Sequence, residues 1–271
     1  MSDKPGMVKE TVEVVAGIVK AVPVYQDAIQ PAAQETGKAL ATPVALLNTA
    51  LRPLKSLLLG VNLVFDRLDE AMTRRLAGVA RERIVEPPAN VAGPLLLGYA
   101  FVESEPLLRE MFELLLATAM NADTRDQAHP SFVEIIRQLT PDEARILREI
   151  ESKKDDAFAC VRVDLKKFFQ YRIQGILTEF DDLDGLSARD VAPLCISNIE
   201  RLGLVKMQFL EPLSDKTRYQ KFAGCLELQD AGKVAAEGEV AELTPGVIST
   251  TPFGQAFLRV CVAESADTGS G

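Results

Sequence analysis

Proline placement constrains this chain more than any other feature. Prolines open helical patterns at Thr42-Pro43, Glu105-Pro106, His129-Pro130 and Thr140-Pro141, with a threonine cap before the first and the last. Proline suits the first position of a helix, where its missing N–H is not needed, and disrupts a helix interior. Each pair therefore opens a helix and closes whatever precedes it. Thr140-Pro141-Asp142-Glu143 carries the most information, because Glu143 stands where its side chain can return a hydrogen bond to the capping threonine. Between these starts, apolar residues recur at three- and four-residue spacing. Leu108, Met111, Phe112, Leu115 and Leu116 form one such stripe, and Phe132, Ile135, Ile136 and Leu139 another, the pattern of a buried helical face. The spacing predicts helices over 7–21, 28–40, 43–81 (kinked at Pro53), 90–101 and 107–120, with others opening at Pro130 and Pro141.

Beyond about residue 155 the pattern is less regular. Residues 157–163 and 168–171 fit strand or helix equally. The run 186–190 looks like a helix start, Val191, Leu194, Cys195, Ile199 and Leu202 give a helical face, and Gly203 ends it. Residues 204–210 and 247–251 read as strands, 211–245 as a long polar connector and 252–262 as a closing helix. The segments 140–151, 186–203, 204–210 and 247–262 together resemble a winged-helix module, with IERLGLVKM and ISTTPFGQAFL as its most telling parts. The expected fold is therefore mainly α: an N-terminal multi-helix domain followed by a smaller α+β winged-helix-like module. Its parts would be an amphipathic helix at 1–22, an apolar helical domain at 23–150, the module at 151–263 and a disordered tail at 264–271.

Charge narrows the function. The chain of 271 residues carries a net charge of −9, and its 47% hydrophobic content excludes wholesale disorder. The first 85 residues are net +2, so the remainder is net −11. Phosphate contacts need an excess of Lys and Arg, and this balance argues against generic nucleic-acid binding. Cys160, Cys195, Cys225 and Cys261 are widely spaced, with no CxxC pair. That pattern fits buried thiols in a reducing cytosol better than disulfides or zinc. The most apolar window, 39–65, is interrupted by Pro43, Arg52, Pro53, Lys55 and Asn62, so it does not read as a membrane span. The opening MSDKPGMVKE is polar and does not read as a secretory leader.

Candidate chemistry is sparse. His129 is the sole histidine and reads as a helix-start residue. Glu103, Glu105, Glu110 and Glu113 read as a solvated helix face, and Asp181, Asp182 and Asp184 as a turn that departs from calcium-loop spacing. No GxGxxG or GxxxxGK[ST] phosphate cradle is present. The expectation is a protein that is not an enzyme and has neither cofactor nor metal. Its candidate interaction residues are Leu51, Leu54 and Leu58 on the apolar helix, with Ser197, Asn198 and Arg201 on the exposed face of the helix before Gly203.

Three stretches carry a wider resemblance: VYQDAIQPAAQETGKAL (24–40), ERIVEPPANVAGPLL (82–96) and LREMFELLLATAMNADTRDQAHPSFVEIIRQLTPDEARIL (108–147). In order and length they resemble the abortive infection alpha family of bacterial phage-defence proteins. The resemblance implies a defence role and brings no catalytic residues with it. The expected function is a non-enzymatic effector or sensor acting through the apolar helical domain. The alternatives are a DNA-binding regulator using the C-terminal module, or a protein-binding scaffold in a toxin–antitoxin-like system. A protein partner or self-association is expected, as is a cytoplasmic location with peripheral membrane contact on activation. Nucleic acid and a small-molecule substrate are not.

Overall fold

The computed structural model describes residues 62–263, apart from positions 103, 154, 169 and 189. The helices expected before residue 62, the stripe of Leu51, Leu54 and Leu58, and the tail at 264–271 lie outside the described residues. The described chain divides into two compact units, one of residues 62–102 and 113–130, the other of 104–112 and 131–263.

The first unit is helical: α1 (Asn62–Arg75), α2 (Ala89–Phe101) and most of α3 (Pro106–Met120). Helix α1 ends six residues short of Arg81. Leu76 and Ala77 still donate to carbonyls of the last turn, and the chain then leaves the helix at 76–79. The Val85–Pro88 link is extended, as the paired prolines require. It is tied down where Val85 N–H donates to Met120 O (2.8 Å) and Ala122 N–H to Arg83 O (2.8 Å). Helix α2 buries Val91, Ala92, Leu95, Leu96 and Tyr99. The Tyr99 hydroxyl donates to Glu113 Oε1 (3.1 Å), and Arg75 donates twice to Glu113 Oε2 (3.3 and 3.2 Å). Glu113 is thus a buried, paired carboxylate and not part of a solvated face.

The second unit is built on a sheet. Helices α4 (Pro130–Gln138) and α5 (Pro141–Lys153) lead into strands β1 (Ala157–Lys167) and β2 (Gln170–Thr178). Then follow α6 (Ala192–Arg201), β3 (Val205–Phe209), α7 (Leu226–Val234), β4 (Val240–Thr250) and α8 (Pro252–Cys261). The strands form one antiparallel sheet in the order β2-β1-β4-β3. The reciprocal cap of α5 is formed as its sequence predicts: Glu143 N–H donates to Thr140 Oγ1 (3.2 Å) and Thr140 N–H to Glu143 Oε2 (2.7 Å).

This sheet overturns the expectation of a mainly α chain ending in a winged-helix-like module; the fold is mixed α/β. The β3–β4 pair predicted from residues 204–210 and 247–251 exists, but it is half of a four-stranded sheet whose other half is the 157–178 hairpin. The 211–245 connector is also wrong. It holds a 3₁₀ helix (Lys216–Phe222), all of α7 and the first half of β4. The reason lies in burial. The first half of strand β1, Ala157–Val161, is covered on both faces, so its apolar residues run on without the alternation that marks a half-buried strand. Ala159 and Val161 pack with Phe222, Leu213 and Tyr219, and Val163 and Leu165 with Ala231 and Leu228. On the other face Phe158 meets Phe180, ring centroids 5.1 Å apart.

The join between α6, β3 and α8 is unusually tight. Gly203 turns the chain at φ +79, a value glycine adopts without a Cβ penalty. Thr251 then caps α8 by accepting from Gly254 N–H (2.8 Å) while donating through its hydroxyl to Gly203 O (2.6 Å) and through its N–H to Leu204 O (3.0 Å). Phe132 of α4 packs edge-on against Phe257 of α8.

Candidate functional site

Registers across the sheet place four rows of side chains on the face that carries Phe158. From one end these are Tyr171, Lys166 and Val240; Ile173, Asp164 and Glu242; Ile176, Arg162 and Thr244; and Thr178, Cys160, Gly246 and Phe209. Between Val163 and Asp164 the pairing with β2 slips, so that Gln174 is an extra residue. Such a bulge bends its strand and re-aims the side chains beside it.

Arg162 and Asp164 form the centre of this face. Asp164 is fully buried, yet both of its oxygens are satisfied. Arg162 Nε donates to Oδ1 (2.8 Å), a second guanidinium nitrogen to Oδ2 (3.1 Å), and the buried Thr244 hydroxyl to Oδ2 (2.5 Å). The hydrogen bonds it donates to Asp164 hold the guanidinium protonated above even its ordinary range. Its flat faces meet Tyr171, 4.5 Å from the ring centroid, and Phe209, at 4.9 Å, the distances of cation–π contact. Gly246 makes room for this clamp. A Cβ there would lie 2.6 Å from Phe209 Cδ1 and 2.6 Å from Gln208 O.

Around that polar centre the sheet offers apolar groups to solvent. Tyr171 is 56% exposed, Ile173 52%, Val240 63% and Phe168, at the hairpin tip, 94%. Phe168 also holds a positive φ of 56, uncommon for a bulky residue. Lys166 pairs with Glu242 (2.7 Å) and Arg172 with Glu239 (2.9 Å), while Lys167 Nζ donates to Glu237 O (2.7 Å). The charges at this end of the sheet are therefore matched, and what remains unmatched is apolar surface.

Of the predicted interaction residues, Asn198 and Arg201 are brought together, Asn198 half-buried and Arg201 exposed, and both are hydrogen-bonded to neighbouring helices. Arg201 donates to Asn198 Oδ1 (2.9 and 2.7 Å) and to Gln138 Oε1 (3.0 Å), and Asn198 Nδ2 to Glu143 Oε1 (2.8 Å). They extend the α5 cap into a bridge between α4, α5 and α6. Ser197 is exposed, its hydroxyl donating to Pro193 O (2.8 Å). His129 is exposed beside Pro130. Glu110 pairs with Arg148 and Glu179 with Arg218. Asp181 accepts from the N–H and hydroxyl of Thr178, and burial outweighs those bonds and raises its carboxyl above the usual range. Burial, with Glu179 and Glu200 nearby, pushes the Cys160 thiol up to about 12, and burial with Glu143 and Asp142 pushes Cys195 up to about 11. Among the described residues no three His, Cys, Asp or Glu side chains gather to hold a metal, and no helix is long and apolar enough to cross a membrane.

Sequence reasoning passed over Arg162, Asp164, Thr244 and the aromatic clamp. One signal was available: in VRVDLKK, charged residues alternate with apolar ones at two-residue spacing, which in a strand puts Arg162, Asp164 and Lys166 on one face.

A four-stranded antiparallel sheet flanked by helices makes this a mixed α/β protein with exposed apolar residues at one end of a sheet face. The chain belongs to the abortive infection alpha family, whose model matches residues 61–261. Membership ties it to abortive-infection, antiviral defence. No curated protein matches the chain. It is also similar to a solved structure, an uncharacterized protein from the hydrocarbon-degrading marine bacterium Alcanivorax borkumensis SK2. That match has 17% identity over 51% of this chain and 96% of the other, with a TM-score of 0.36.

Proposed function

We propose that the protein acts in abortive infection as a non-enzymatic effector or sensor, and that it does so by protein contact at the open end of its sheet. The observation that carries this reading is the contrast between the buried carboxylates and the exposed face. A general acid or base needs a lone pair or proton to offer substrate. Asp164 spends its oxygens on Arg162 and Thr244, and Glu143 spends its own on Thr140 and Asn198. These carboxylates hold the fold together. Phe168, Val240 and Tyr171 face solvent, and a cluster of exposed large apolar groups is what a partner surface presents.

The test is a phage-plating assay on cells carrying the gene, with survival of infected cells scored in parallel. Phe168→Ser with Val240→Ser should abolish protection while leaving the circular-dichroism spectrum and expression unchanged. Asp164→Asn, in cells grown cool enough to keep the protein folded, should still protect. Loss of protection in folded Asp164→Asn, with the surface variant unaffected, would mean that the carboxylate is chemical and the reading is wrong.

A further inference from the structure

The two edges of the sheet are treated differently. At the β3 edge, Met207 N–H donates to Glu200 Oε1 (2.7 Å), so a side chain from α6 occupies a backbone donor that another strand would need. The chain then turns away at Leu210, which holds a φ of 73. At the β2 edge, every residue from Gln170 to Gln174 is exposed, two of them large and apolar, and the run contains no proline. In an antiparallel strand, alternate N–H and C=O groups point away from the existing partner. An open edge of this kind is a template for one more strand.

The geometry points to a second copy of this chain as that strand, pairing β2 with β2 antiparallel about a twofold axis at Tyr171. Side-chain matching fits a second copy of the strand and selects the register. Strands paired about a twofold axis normal to the sheet keep like faces together, so the axis must fall on a residue and not between two. Centring on Arg172 would set two guanidinium groups directly opposite each other, which is destabilising. Centring on Ile173 would set Arg172 against the bulged Gln174 and Tyr171 against Gly175, losing the ring contact. Centring on Tyr171 sets ring against ring on one face and Gln170 against Arg172 of the other copy on the opposite face, an amide oxygen facing a guanidinium. The join makes one eight-stranded sheet, with the exposed Ile173 and Val240 of both copies on a single continuous face.

The inference goes beyond the defence reading and is decided by mass alone. Sedimentation velocity and light scattering on the full chain over a range of concentrations should show a monomer–dimer equilibrium. Tyr171→Glu and Tyr171→Lys, each alone, should weaken it by about tenfold or more, because like charges meet on the axis. Mixing the two variants should restore dimers of mixed composition. That rescue separates pairing at this residue from damage to the fold. In a Cys225→Ser background, Tyr171→Cys should oxidise to a covalent dimer and Gln174→Cys should not. A chain that stays monomeric at all concentrations, a dimer indifferent to Tyr171→Glu, or failure of the mixture to recover would each overturn the proposal. In those cases an unrelated protein segment, or nothing, occupies the edge, and the phage assay still stands on its own.

Discussion

Two glycines in helices of the second unit should respond to the same substitution with opposite sign. Gly232 lies in α7, exposed, and an added Cβ would meet nothing within 4 Å. There, Gly232→Ala trades a flexible residue for the best helix former and should stabilise by up to about 1 kcal/mol. Gly254 lies in the first turn of α8, three residues after its Thr251 cap. A Cβ built on it would overlap the Leu204 carbonyl oxygen and stand 2.7 Å from the carbonyl carbon and 3.0 Å from Cα. Unbonded carbons rest at about 3.5–4.0 Å, so backbone must move by about an ångström. That backbone accepts the Thr251 N–H at Leu204 O and the Thr251 hydroxyl at Gly203 O. Overpacking costs about 1–3 kcal/mol, and each strained hydrogen bond about 1 more. Set against the helix-propensity gain, Gly254→Ala should destabilise by about 2–4 kcal/mol. Urea unfolding followed by far-ultraviolet circular dichroism gives both numbers. If Gly254→Ala holds or raises the midpoint, the close seating of α8 on the β3 turn is refuted.

Other perturbations follow from the same contacts. Thr140→Ala removes the reciprocal cap of α5 and should cost about 1 kcal/mol in the same assay; a neutral result would mean that the Asn198–Arg201 bridge holds Glu143 unaided. Asp164→Ala leaves the clamped Arg162 without its buried counter-charge and should cost about 3–5 kcal/mol, measured as a drop in the urea midpoint, with Thr244→Val milder. The thiols of Cys160 and Cys195 keep their protons in the native state up to about 12 and about 11, whereas an unfolded thiol ionises near about 8.5. Unfolding then releases protons, so their contribution is full below about pH 8.5 and is lost as pH rises towards the native values. Cys160→Ala with Cys195→Ala should flatten the alkaline fall in melting temperature, and an unchanged slope would contradict the burial. Three cysteines are buried and Cys225 is partly exposed, so a thiol reagent at neutral pH should label Cys225 first, as read by intact mass.

How far the sequence can be read depended on where the information sits. The α5 start was legible because Thr140 and Glu143 satisfy each other within four residues. The C-terminal end of α6 and the start of α8 were legible for the same reason: Gly203 and Thr251-Pro252 act locally, whereas the helix start read at 186–190 falls short of Ala192 because Ser187 bonds Asp142 and not the helix. The Thr251-x-x-Gly254 spacing was also visible, but its cause was not, since it depends on Leu204, which is close in space and distant in sequence. Strand β1 was ambiguous because its first half is covered on both faces, and its second cover, α7 with the Lys216–Phe222 turn, comes from a stretch whose polarity reads as a connector. Glu113 and Asp164 were misread or missed because a carboxylate looks solvated until its partners, Arg75 and Tyr99 or Arg162 and Thr244, are brought to it by the fold.

The central strands of the sheet are its most distant neighbours in time. Strand β1 pairs along its whole length with β4, from Ala157 with Ser249 to Lys166 with Val240, and about seventy residues separate the two strands. At a synthesis rate of about 5–20 residues per second, several seconds pass between the end of one strand and the start of the next. During that interval the β1–β2 hairpin can form, but β1, the most deeply buried of the described strands, has one edge unpaired, and its cover, α7, is still being made. Contacts that close so long a loop also fold slowly. The newly made chain therefore passes through a stage in which its central strand is complete and unprotected, and the last strand and α8 end that exposure.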